Sequence, residues 1–222
     1  MIYIIILCIF VLLIKIVNQM KTLKSFLSTI KVESIHENNT FKSKNHEIKF
    51  EDDFLLSNGY VKLEKESPFY DEIKKTKSLI QIDSLVGEFL FISQPFGSQK
   101  HPDLIVVING IVLWLELKKS KGNKISWNTG YPRLNCLYVF DSDKLGRVVF
   151  IGQDHPTHGG KEEANEKFNN RMKELAKELA KSTPEFAHLE ENFYNRAMFT
   201  DKTTDYNIEE LYDKAISRIE NL

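Results

Sequence analysis

Cysteine is scarce in this chain, and its scarcity excludes whole classes of protein. The 222 residues hold two cysteines, Cys8 and Cys136, too few for a disulfide framework or a thiolate zinc site, and a reducing compartment fits them. Net charge is also nearly absent. Thirty Lys+Arg against 31 Asp+Glu leave −1, so no global basic field announces nucleic acid. Internal repeats and low-complexity linkers are missing. What remains is an ordinary globular composition, 42% hydrophobic and 27% charged, long enough for one domain with a sizeable core.

The most informative stretch lies in the middle. Two apolar runs, Leu104–Ile108 and Ile111–Leu115, flank Asn109-Gly110. Asn-Gly between such runs is a strong hairpin signal, because a type I′ turn needs φ > 0 at both central residues. Runs apolar at nearly every position imply a sheet buried on both faces. With a two-residue turn, Ile108 faces Ile111 and the register continues to Leu104 facing Leu115. One further step sets Asp103 opposite Glu116, with Lys118 two residues on and on the same face.

Like charges directly opposite on a sheet destabilise it, so a purely structural hairpin has no reason to place two carboxylates there. A divalent cation supplies one, since Mg²⁺ takes oxygen ligands and often uses one or two carboxylates with phosphate oxygens and water. Without metal, such a pair is expected to titrate as a coupled unit with one carboxyl raised. Asp103→Asn is then expected to raise metal-free stability near neutral pH.

Pro102-Asp103, twelve intervening residues, then Glu116-Leu117-Lys118 resembles the signature of the PD-(D/E)XK nuclease superfamily, most like its type II restriction endonucleases. Glu-x-Lys alone is weak, occurring at Glu47, Glu72 and Glu116, whereas Pro-Asp occurs once. The resemblance spans roughly residues 85–151. It implies an α/β fold with a restriction-endonuclease-like core, a mixed β-sheet flanked by helices. It implies an endodeoxyribonuclease, a Mg²⁺-dependent enzyme cleaving phosphodiester bonds of double-stranded DNA. Asp103 and Glu116 would hold the metal, with the Leu117 carbonyl as a third ligand, and Lys118 would complete the catalytic set. A homodimer on a palindromic site and a companion DNA methyltransferase are further implications. Acidic residues on a preceding helix sometimes complete such sites; Glu72 and Glu88 are the candidates, against the plainer reading of solvated glutamates.

Around this core, five basic residues and no acidic ones lie between Leu117 and Phe140: Lys118, Lys119, Lys121, Lys124 and Arg133. Such a local stripe suits phosphate contacts; a solvated lysine-rich loop is the plain alternative. Expected DNA contacts are Ser98 and Gln99 before the hairpin, and Lys119, Lys121, Lys124, Asn128 and Arg133 after it. Trp127 and Tyr131 read rather as packing residues. Asp154, His155 and His158 invite a metal reading, but proline and paired glycines around them argue for a loop.

Residues 2–17 are apolar apart from Lys15, short for a membrane span of about 20 residues. The segment 1–19 reads as a membrane anchor or as a start-site miscall upstream of Met20, and residues 20–222 as a single cytoplasmic nuclease domain. Leu23, Phe26, Leu27 and Ile30 recur at helical spacing. Ser67-Pro68 starts a helix expected to reach about Ile82. Phe89–Ile92, Leu137–Phe140 and Val148–Ile151 read as strands. The last third reads as helical, with a Phe168, Met172, Leu175, Leu179 stripe, a helix from Thr183-Pro184, and a third begun by the capping box at Asn207–Glu210. Two other functions stay open: a repair or junction-resolving nuclease of the same superfamily, and a non-catalytic, membrane-tethered DNA-binding protein.

Overall fold

The computed structural model describes residues 23–32, 50–98, 100–127, 132–155, 161–187, 199–200 and 207–221. The apolar segment 1–19 lies outside them, as do Gln99, Asn128, Tyr131 and His158. Among the described residues no helix is long and apolar enough to cross a membrane.

The chain is an α/β protein built on one mixed sheet. Its strands are β1 (Val61–Lys62), β2 (Ile80–Gln81), β3 (Phe89–Ser93), β4 (Leu104–Ile108), β5 (Ile111–Ser120), β7 (Leu137–Ser142) and β8 (Gly146–Ile151), in the order β1-β3-β4-β5-β7-β8. A separate short ladder joins β6 (Ser126–Trp127) to β9 (Phe199–Thr200). β1 runs parallel to β3 and β7 parallel to β5; the other pairings are antiparallel.

The hairpin is as its turn dictates. Asn109 and Gly110 take φ of 50° and 87°, and the register runs from Ile108–Ile111 to Leu104–Leu115. Gly110 is required twice over, by its φ and because a Cβ there would sit 2.9 Å from the Ile82 carbonyl oxygen. β5 is the longest strand and changes neighbours along its length. Its first two residues pair with β2 and its last six with β7, while β4 accompanies it only as far as Leu115.

Both sheet faces are covered, as the unbroken apolar runs require. On one face α1 (Leu23–Val32), a π-helical segment (Phe50–Leu56) and α4 (Ile208–Glu220) pack on Phe91, Val106, Leu113, Leu115 and Val139. The Arg147 guanidinium ties this layer to the sheet, binding Asp141 at 2.6 Å and the Ile30 carbonyl, near the end of α1, at 3.1 Å. The other face carries two apolar patches. One sets α2 (Tyr70–Lys75) against Leu90, Ile105 and Val112. The other sets Trp127 and Leu211 against Tyr138 and Phe150. Trp114 borders both patches, and strand alternation puts Glu116 and Lys118 on its face.

Two helical expectations need correction, and a third can be followed only at its start. The helix after Pro68 spans only Tyr70–Lys75; beyond Thr76 the chain is drawn to the edge of β5, where the Leu79 amide donates to Val112 and the Trp114 amide to Ser78. From Thr183 the chain opens in a 3₁₀ turn, Pro184–Phe186, and the rest of the expected helix lies outside the described residues. α3 (Lys161–Ser182) forms at full length, but Phe168, Leu175 and Leu179 are exposed, at 58%, 41% and 38%. Ala176 and Ala180 are buried instead. α4 is as expected: the Asn207 side chain accepts from the Glu210 amide, and Leu211, Ala215 and Ile219 are buried.

Candidate active site at the end of the hairpin

The ladder between β4 and β5 stops at Leu104–Leu115, yet β5 continues to Ser120. Its next amide on that side, Leu117 N–H, would be left without a strand partner. Asp103 takes it, its Oδ2 accepting at 2.8 Å. Asp103 is thus no simple extension of the ladder. It sits in the bend before β4, where its own carbonyl accepts from the Gln94 amide at 2.7 Å. In an extended strand a residue's carbonyl points to the same side as its amide, so the Leu117 carbonyl is directed to the edge that Asp103 occupies.

Glu116 is nearly enclosed, at 5% exposure, and both its oxygens are engaged. Oε1 accepts from the Lys118 ammonium at 2.7 Å, and Oε2 lies 2.8 Å from His101 Nδ1. Burial alone would raise this carboxyl. The hydrogen bond from His101 and the charge of Lys118 outweigh it and hold Glu116 at about 2, against an ordinary 4.5. The expectation that two opposed carboxylates would raise one another is therefore corrected at Glu116. The hydrogen bond from His101 and the Lys118 ammonium decide its ionisation, and Asp103 has turned to the strand edge.

His101 is the member sequence reasoning passed over. Its side chain is 10% exposed, its Nε2 is buried without a hydrogen-bond partner, and its ring meets Trp114 edge-on at 5.8 Å. Its place beside Pro102-Asp103, two residues before the aspartate, was the available signal. Glu51 was also missed. It is buried in the π-helical segment, binding Lys62 at 2.8 Å and the Ser93 hydroxyl, and nothing local in the sequence marks it.

The remaining expected residues scatter. Ser98, Lys121, Lys124 and Arg133 are exposed and Lys119 is half-buried. Arg133 is held through its backbone, its amide donating to the Tyr138 hydroxyl at 2.8 Å. Its carbonyl lies so close to Gly152 that a Cβ there would come within 2.0 Å of the oxygen. Trp127 is a packing residue, 2% exposed and edge-on to Tyr138 and His155. Glu72 is exposed on α2. Glu88 is exposed at the wrong end of the sheet, its carbonyl accepting from Asn109 at the hairpin turn, about 15 Å of strand from Asp103. The metal reading near Asp154 also fails on its chemistry, since that carboxylate is forked by the Arg218 guanidinium at 2.6 and 2.7 Å.

Among the described residues no group of three or more His, Cys, Asp or Glu side chains is arranged to hold a metal ion. The cluster at the hairpin end offers two carboxylates and one backbone carbonyl. That all-oxygen set suits Mg²⁺, which keeps several waters and needs only one or two protein carboxylates. No family model, no curated protein and no solved structure matches the chain.

Proposed function

We propose that this protein is a Mg²⁺-dependent endonuclease, built on a restriction-endonuclease-like core, that hydrolyses phosphodiester bonds of double-stranded DNA. One observation carries the reading: a buried, ionised carboxylate, a lysine and a second carboxylate meet where β5 outruns its partner strand. The hairpin register from Ile108–Ile111 to Leu104–Leu115 is complete without them. Asp103 and Glu116, with the Leu117 carbonyl, would hold Mg²⁺, which polarises a phosphate and lowers the pKa of bound water. Asp103 keeps this edge open by satisfying the Leu117 amide in place of a strand. Lys118 carries its ammonium beside Glu116, where it offsets the charge that grows on a phosphorane-like transition state and orients the attacking water. His101 holds Glu116 from the opposite side and fixes its rotamer.

A sequence-specific type II restriction enzyme is the form the motif most resembles, with a homodimer on a palindromic site and a companion methyltransferase. A repair or junction-resolving nuclease is the second form, favoured by the lysine-lined cleft beside His101. Supercoiled, unmethylated plasmid incubated with the full chain and Mg²⁺ separates them. Discrete fragments support the restriction form, and nicks at unpaired structures support the repair form. An intact plasmid, with intact junction and flap substrates, removes the nuclease reading.

A further inference from the structure

A cleft of about 620 Å³ opens beside the hairpin end. Its walls come from three separate segments: β1 and the residues after it, α2, and the loop between β3 and β4. Each segment brings lysine: Lys62 and Lys65, Lys74, and Lys100. Glu64 is the only acidic residue among those lining it. In a chain of net charge −1, this is a local concentration of positive charge.

Three of these four lysines are left unneutralised. Among the described residues, Lys65, Lys74 and Lys100 form no ion pair. Lys74 is held over aromatic rings, its Nζ 5.7 Å from the centre of Tyr70 and 5.5 Å from that of Phe96. Lys62 is anchored by buried Glu51. Phe96 is half-buried, edge-on to Trp114 at 6.1 Å, and Trp114 in turn meets His101. His101 lines the cleft and binds Glu116, so the cleft ends at the residue that stands between it and the candidate site.

We propose that this cleft binds the phosphate backbone of one unpaired nucleic-acid strand and leads it to Glu116. Lysines around an aromatic ring are the chemistry of single-strand grooves, where phosphates meet ammonium groups and a base meets a π-face. The volume falls in the range of ligand-binding pockets, roughly 300–1,000 Å³. In an unpaired strand the base faces are free to meet the half-buried Phe96 ring, whereas a duplex keeps them stacked inside. The strand's destination rests on the nuclease reading; its binding does not.

The test is fluorescence anisotropy of a labelled single-stranded oligodeoxynucleotide of about eight nucleotides, in EDTA, with the full chain. The Lys65→Ala/Lys74→Ala/Lys100→Ala variant is expected to weaken binding at least about tenfold and to reduce the salt slope of log K by about 2, near 0.7 for each lost phosphate contact. Glu64→Lys is expected to tighten binding, a gain that misfolding cannot imitate. Lys177→Ala, on the exposed side of α3, should leave it unchanged. Blunt duplex of the same sequence should compete poorly. A triple variant that binds like wild type, or a duplex that competes as well as the single strand, overturns the proposal. Cleft-dependent binding without cleavage by wild type in Mg²⁺ would remove the nuclease reading and leave the cleft standing. Cleavage with cleft-independent binding would remove the cleft alone.

Discussion

The two halves of β5 obey different rules. From Ile111 to Leu115 the strand is apolar and lies against β4 throughout. From Glu116 to Ser120 it keeps β7 on one side but has lost β4 on the other, and side chains replace the missing strand. The first half is held by backbone ladder and burial, the second by one aspartate on an amide, one lysine and one histidine on a glutamate. Regular pairing leaves no room for chemistry. Interrupted pairing exposes a backbone edge, and the polar groups that satisfy it are concentrated where a ligand can reach them.

The largest expected effect separates the two halves by function. Asp103→Asn and Glu116→Gln each remove a negative charge while nearly preserving shape, so each should abolish plasmid cleavage and leave DNA binding largely intact; Asp103→Asn should keep the melting transition, whereas Glu116→Gln, which leaves Lys118 without its carboxylate, should lower it above pH 4.5. Normal turnover by either variant places the chemistry elsewhere in the molecule. Asp103→Asn carries no expectation of added stability: the asparagine oxygen can still accept from Leu117, and Lys118 and the His101 hydrogen bond leave little repulsion at Glu116 to relieve.

Stability distinguishes the halves next. Asp103→Leu leaves the Leu117 amide without its charged acceptor, a loss of about 1.5–3 kcal/mol. Gly110→Ala strains the turn end, through positive φ and the approach to the Ile82 carbonyl, by about 1–3 kcal/mol. Urea unfolding should show both losses, with cleavage lost only in the first. If Gly110→Ala also abolished cleavage at temperatures where it remains folded, the two halves would not be independent.

What the sequence made legible follows the same division. Asn109-Gly110 dictated a turn type, the turn dictated the register, and the register carried the reader to within one residue of the site. Glu116 and Lys118 were visible because alternation along a strand is a local rule. His101, Glu51 and the cleft lysines were not, because each acts across the chain: Ser93 meets Glu51 at a separation of 42 residues, and the cleft lysines come from three segments joined only by the sheet order. α3 shows the limit from another side. Periodicity reports that one helix face is apolar; it does not say whether the fold covers that face, and here Phe168 and Leu175 are exposed. The helix after Pro68 was overrun for a related reason, since the pull of an open β5 edge on Leu79 is invisible in a local window.

Acid titration probes the second half alone. Because Glu116 is lowered to about 2 in the folded protein, the unfolded chain binds its proton more readily. The contribution to stability is complete above about 4.5, the ordinary value, and is lost as pH falls toward about 2. His101→Ala removes a hydrogen bond that lowers this carboxyl. The variant should therefore be less stable than wild type above pH 4.5, with the difference shrinking toward pH 2. Thermal melts across that range measure it, and a difference independent of pH would assign His101 a packing role only.

The smallest effects belong to the basic residues that follow β5. Lys124 and Arg133 are exposed, and Arg133 is held by its backbone, the Tyr138 hydroxyl taking its amide and Gly152 lying against its carbonyl. The side chain thus leaves the surface from a fixed point, as a phosphate contact requires. Lys124→Ala and Arg133→Ala should each weaken duplex binding and lower the salt slope of log K by about one unit, without changing site preference. If Arg133 instead reads a base edge, its loss should relax one position of the site and cost about 1–3 kcal/mol. Gly152→Ala sharpens the point: by displacing the Arg133 backbone it should reproduce the Arg133→Ala phenotype while leaving the guanidinium present. Duplex binding unchanged in all three variants would return this tract to a solvated loop.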